Sequence, residues 1–124
     1  MKTINFKDLP AVGATLNSGI FAGVITRNSA HVAVVLLYGR GESLTWAKAN
    51  EWAKNQGSEL PTRQVAALLL DNCKDNLPTD WHWTNADANK SLAWVCSIRF
   101  NNPYLHYKGR EIAAVAVRYV EIKP

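Results

Sequence analysis

Apolar and polar positions along this chain fall into three stretches with different periods. In the first third, Ile20 to Thr26 and His31 to Tyr38 are rich in valine, isoleucine and leucine and read as strands joined by the turn residues Arg27-Asn28-Ser29. Within the second run Val32, Val34 and Leu36 alternate with Ala33, Val35 and Leu37. Both faces are therefore apolar, which predicts a central strand covered on each side. The middle third changes to a helical period. Thr45 can cap a helix whose apolar stripe is Trp46, Ala49, Trp52 and Ala53, and Gly57 supplies a left-handed stop. Leu60-Pro61-Thr62 opens a second helix with Thr62 as cap and Val65, Leu68, Leu69 and Cys73 on one face, broken by Asn72 to Pro78. The last third alternates again. Leu92, Trp94, Cys96, Ile98 and Phe100 share one face of a strand, opposite Ala93, Val95, Ser97 and Arg99. A turn at Asn101-Asn102-Pro103 leads to a strand over Tyr104–Lys108, and Gly109-Arg110 leads to a last strand from Ile112 to Ile122.

Strands, two helices, then strands is the order of an α+β fold with a mostly antiparallel sheet and two helices inserted between N- and C-terminal strands. At 124 residues the chain reads as one domain spanning 1–124, and its composition, 48% hydrophobic and 19% charged, is that of a globular protein. No apolar run approaches the ~20 residues that span a bilayer, so no membrane association is expected. MKTINFKDLP lacks the apolar core of a secretory signal, which makes the cytoplasm the default expectation, a host cytoplasm if a phage encodes the chain. Cys73 and Cys96 are too few for a disulfide scaffold; free thiols are expected, with a single bridge as the alternative.

These segments carry a resemblance. Ala11-Val12-Gly13 with Gly19-Ile20-Phe21, Leu44 to Ala49, Glu59-Leu60-Pro61-Thr62-Arg63, Trp81 to Ala86, Ala93-Trp94-Val95 and Val117 to Val120 follow one another along the whole chain. In that order they resemble a C-type-lectin-like domain, and more closely a bacterial and phage family of unknown function related to the C-terminal domain of a collagen-like adhesin. The resemblance implies a C-type-lectin-like α+β fold. It also implies a binding role, since relatives commonly form adhesin or receptor-binding ends of longer chains. As a function signal the fold is broad, because it hosts sugar binders, protein binders and an oxidase family. Trp46, Trp52 and Trp94 fall on apolar faces and read as core. Arg118 reads equally as a surface residue or as a clamp on backbone carbonyls.

The charge changes this picture little. Fourteen basic and ten acidic residues give +4, but they are interleaved from Lys2 to Lys123 with no basic run, so a mixed solvated surface is favoured over a nucleic-acid footprint. Sugar-binding C-type lectins hold calcium with Glu-Pro-Asn or Gln-Pro-Asp and Trp-Asn-Asp motifs, and neither is present. His31, His82 and His106 show no zinc spacing with the cysteines. Copper chemistry of the formylglycine-generating kind needs a close cysteine pair, whereas Cys96 shares a face with Trp94 and Ile98 and Cys73 closes a helix. No phosphate loop or paired-carboxylate motif appears. The expectation is a non-enzyme without cofactor or metal.

A candidate binding face remains at Trp81–Lys90 and Asn101–Arg110. It comprises the aromatic anchors Trp81, Trp83 (read as half-buried), Tyr104 and Tyr107. Around them lie the polar groups His82, Asn85, Asp87, Asn89, Asn101, Asn102 and His106, and the cations Lys90, Lys108 and Arg110. Rigid rings among adaptable amides are what protein interfaces enrich. A protein partner is therefore the first expectation, in keeping with a small phage- or prophage-type protein. Calcium-independent glycan binding and nucleic-acid binding are the alternatives, the latter because Tyr104, His106, Tyr107, Lys108 and Arg110 could stack a base and hold a phosphate. Alternation puts Tyr104, His106 and Lys108 on one strand face and Tyr107 on the other.

Overall fold

The long hairpin in the first third of the chain is made by a two-residue turn. In the computed structural model, which describes residues 3–99 and 102–124 (Asn102 by its backbone), Asn28 and Ser29 have φ of 51° and 66° between the paired residues Arg27 and Ala30. Positive φ at both central positions matches the right-handed twist of the flanking strands. These are β3 (Gly19–Arg27) and β4 (Ala30–Leu44), preceded by β1 (Thr3–Asn5), β2 (Thr15–Leu16) and a 3-10 turn at Phe6–Asp8. Gly19 lies under β4, where any Cβ would run into the Leu36 carbonyl, so the close approach requires glycine.

Two helices follow, as the helical period predicts: α1 (Trp46–Lys54) and α2 (Arg63–Asn72). The Thr45 hydroxyl accepts from the Lys48 N–H at 3.3 Å and the Thr62 hydroxyl from the Val65 N–H at 3.1 Å, so both expected N-caps form. Gly57, at φ +67°, turns the chain just beyond α1. The remaining strands are β5 (Trp81–Asp87), β6 (Leu92–Ser97), β7 (Asn102–Tyr107) and β8 (Ile112–Lys123). Against the sequence expectation, β6 ends at Ser97 and Ile98-Arg99 begin the turn, while Phe100 and Asn101 lie outside the described residues.

The strands form one mixed, mostly antiparallel sheet in the order β2-β3-β4-β8-β5-β6-β7, with β1 parallel to the end of β8 and β5 parallel to its start. The architecture is therefore α+β, with both helices between N- and C-terminal strands. The helices cover opposite faces. Ala49 and Ala53 of α1 pack with Ala33, Val35, Leu37, Trp83 and Val95, whereas Val65 and Leu69 of α2 pack with Val34, Leu36, Val115 and Val117. This double cover is why β4 needs apolar residues at consecutive positions. Arg118 proves to be a clamp: its guanidinium donates to the Gln56 carbonyl at 2.6 Å, tying β8 to the end of α1. Cys73 and Cys96 are both buried and both free.

Candidate binding face on the terminal hairpin

The pleat of the last three strands decides which of the expected residues can meet a ligand. The register pairs Trp81 with Ser97, Trp83 with Val95, Val95 with Tyr104 and Ala93 with His106. Trp81, Trp83, Tyr104 and His106 therefore share one sheet face, with His82, Trp94, Leu105 and Tyr107 on the other. The two tryptophans of β5 then differ in depth. Trp83 lies toward α1, is fully buried, and its indole N–H donates to the Leu44 carbonyl at 2.8 Å. Trp81 is only half-buried. Its ring lies across β6, where that face offers Ala93, Val95 and Ser97. It meets Tyr104 and His106 edge-on, each at 4.9 Å between centroids. Such T-shaped contacts hold three rings as one rigid unit.

Two expectations for this face are corrected here. Trp83 is core, and His82 is completely buried on the opposite side of the strand, so neither reaches the surface. Both follow from β5 lying inside the sheet between β8 and β6, with a helix over each face. Neither His82 ring nitrogen has a hydrogen-bond partner among the described residues. Burial lowers its pKa from 6.5 to about 4, opposed by the Trp83 backbone and reinforced by the Arg40 cation.

The polar members divide between scaffold and surface. Asn89 is a turn device, its Oδ1 accepting from the Ser91 and Leu92 N–H groups at 2.8 and 2.9 Å. The Asn85 backbone N–H donates to the Pro61 carbonyl at 2.9 Å, linking β5 to the start of α2. Lys108 Nζ meets Asp87 at 2.7 Å and sits 4.6 Å above the Trp46 ring, and the Lys108 carbonyl accepts from the Trp46 N–H at 3.0 Å. Arg110 approaches His106 Nδ1 at 3.4 Å. Burial, then the Arg110 charge, lowers the His106 pKa, so its imidazole is neutral at physiological pH. Tyr104 and Leu105 are about two-fifths exposed at 44% and 42%, and Tyr107 is the most exposed ring of the hairpin at 67%. Lys90 is exposed at the β5–β6 turn. Asn101 and the Asn102 side chain lie outside the described residues.

The structure thus brings together Trp81, Tyr104 and His106, with Arg110 beside them and Lys108-Asp87 over Trp46. Trp46 is the participant that sequence reasoning placed in the core. It is half-buried and donates its indole N–H to the Thr84 carbonyl at 2.9 Å. An apolar stripe at helical spacing gives no sign that the first residue of a helix will sit beneath a lysine 62 positions later. Trp94 is likewise half-buried, and Arg63 lies 3.8 Å over its ring.

A cleft of about 850 Å³ lies elsewhere, at the end of the sheet where β3, β4 and β8 meet the segment after α1. Arg27 bonds both carboxylate oxygens of Glu59 there, at 3.1 and 3.3 Å, and lies 3.9 Å over the Tyr119 ring. Burial, with Glu59 adding to it and Arg27 opposing, pushes the Tyr119 phenol up to about 12. None of the residues singled out from the sequence as ligand-binding lines this cleft. No group of three or more His, Cys, Asp or Glu side chains suited to a metal ion occurs among the described residues. Among the described residues no helix is long and apolar enough to cross a membrane. Comparison with protein-family models and with curated proteins returns no match to this chain.

Proposed function

We propose that this chain is a non-catalytic binding module of C-type-lectin-like fold, a small phage- or prophage-type protein that engages a protein partner through the β6–β7 hairpin and the aromatic cluster beside it. One observation carries the reading. Trp81 of β5 and Tyr104 and His106 of β7 form a pre-assembled ring cluster at the end of the sheet, where the other face of β7 exposes Leu105 and Tyr107. Rigid aromatics that lose little entropy on contact are the usual anchors of protein interfaces. A sugar platform wants an open ring face, whereas Trp81 is flanked edge-on by two neighbours. A nucleic-acid groove wants uncommitted cations, whereas Lys108 is held by Asp87 and Trp46, and Arg110 lies against His106. These contacts support the reading of a protein partner over a glycan, and of a glycan over nucleic acid.

The test is affinity capture with the immobilised protein, comparing the wild type with Tyr104→Ala and Tyr107→Ala. A stoichiometric protein retained by the wild type and lost from both variants, with melting temperatures shifted by no more than a few degrees, supports the reading. Retention on a glycan array favours the glycan alternative, and salt-sensitive retention of DNA the nucleic-acid one.

A further inference from the structure

β7 is the last strand of the sheet, paired to β6 alone among the described residues. Which of its backbone groups face outward follows from the ladder. The Lys108 N–H donates to the Ser91 carbonyl at 2.7 Å, which makes Ser91/Lys108 a hydrogen-bonded pair in register with Leu92/Tyr107. Hydrogen-bonded pairs alternate along an antiparallel ladder, so Ala93/His106 and Val95/Tyr104 are the next two. The backbone groups of Pro103, Leu105 and Tyr107 therefore point away from β6. Pro103 has no N–H to offer, and the Tyr107 carbonyl already accepts from the Arg110 N–H at 3.0 Å. What the edge presents is an acceptor at Pro103, a donor and an acceptor at Leu105, and a donor at Tyr107.

Turned end for end about Leu105, that sequence becomes its own complement, with a donor wherever there was an acceptor and an acceptor wherever there was a donor. Natural sheets protect their edges with charges, prolines, bulges or very short strands, and of these β7 has a proline, Pro103, at one end of the outward-facing segment, which leaves the Leu105 and Tyr107 donors in place. Between Pro103 and Tyr107 this edge carries no formal charge and its register has no bulge. From this we propose that β7 pairs antiparallel with β7 of a second copy of the chain, on a two-fold axis at Leu105. The proposal rests on the protein-partner reading above and names the partner.

The pairing uses four hydrogen bonds. Each Leu105 N–H donates to the partner's Leu105 carbonyl, and each Tyr107 N–H to the partner's Pro103 carbonyl. The donor that Pro103 lacks falls opposite the carbonyl that Arg110 already satisfies, so no group is stranded. The side chains agree with this register. Leu105 meets its symmetry mate, and Tyr107 meets the partner's Pro103. On the other face Tyr104 lies opposite the partner's His106, which is neutral because burial and Arg110 lower its pKa. The nearest lysine, Lys108, is neutralised by Asp87. An isologous interface requires this kind of self-complementary patch. Because a single strand pair buries little area, the association is weak and concentration-dependent.

Sedimentation velocity across a concentration series, with backbone hydrogen exchange at both ends of it, tests the proposal. Dimer should form as concentration rises. The Leu105 and Tyr107 amides should exchange more slowly in the concentrated sample, while the Tyr104 and His106 amides, which face β6, stay slow in both. Leu105→Pro removes the central donor without touching the β6 ladder and should weaken the dimer at least ~10-fold. Leu105→Lys opposes two like charges across the axis and should do the same, which covers the case that the proline variant does not fold. A wild type that stays monomeric to about 0.5 mM overturns the second copy as partner. So does a dimer that survives both substitutions, or protection of the Leu105 and Tyr107 amides that appears only when a different protein is added. In each of those cases Tyr104→Ala still reports separately, through the capture experiment, on whether the face binds a protein.

Discussion

Replacing His82 by leucine should flatten the pH dependence of stability in the acid range. The imidazole is fully buried between β8 and β6 with both nitrogens unpartnered among the described residues. Its folded-state pKa is about 4, against 6.5 for the free side chain. The sign follows from linkage. Above pH 6.5 the ring is neutral in both states and costs nothing in protons. As the pH falls below that value the unfolded chain takes up a proton that the folded chain refuses, so stability declines until the folded state also protonates near pH 4. At about 1.4 kcal/mol per pH unit the full loss is on the order of 3 kcal/mol. For a domain of this size that is a fall in melting temperature on the order of 10 °C between pH 7 and pH 4. Every other ionisable group is common to both proteins, so the difference between wild type and His82→Leu isolates the one group. Urea or thermal melts at pH 7.5, 6, 5 and 4 measure it. The two should diverge steadily below pH 6.5, with the variant at least as stable as the wild type at pH 7.5, because it removes two orphaned polar atoms. Parallel curves over the whole range would refute the reasoning, since a buried neutral histidine cannot leave the pH slope unchanged.

Trp83→Ala should destabilise by about 4 kcal/mol, lowering the melting temperature by roughly 15 °C, because it empties a fully buried site and orphans the Leu44 carbonyl. Tyr104→Ala should change melting by only a few degrees and show its effect in binding. Arg118→Met keeps most of the aliphatic stem but breaks the bond to the Gln56 carbonyl, and should cost about 2 kcal/mol in a urea titration. Gly19→Ala drives a Cβ into the Leu36 carbonyl and should either fail to give soluble protein or melt far below the wild type, as circular dichroism would show.

The local rules were legible in the sequence. Two hydroxyl caps, a glycine stop, a hairpin turn near Asn28-Ser29 and a change of period from two to 3.6 and back depend on residues within a few positions of one another. They determined both helices, most strands and the α+β class by themselves. The doubly apolar run at 32–37 also announced a strand covered on both faces. Depth was a different matter. Trp81, His82 and Trp83 are adjacent and similar as letters, yet one lies half-exposed against Tyr104 and His106 and two are sealed in the interior. Strand order decided that, by setting β5 between β8 and β6, and strand order comes from long-range pairing that no local pattern encodes. The same holds for Trp46 under Lys108 and for Arg118 on Gln56. It holds most of all for β7: the sequence predicts a strand over Tyr104–Lys108 after a turn at Asn101-Asn102-Pro103, whereas the strand runs Asn102–Tyr107, and only the tertiary structure left it at the edge, with the backbone groups of Leu105 facing outward.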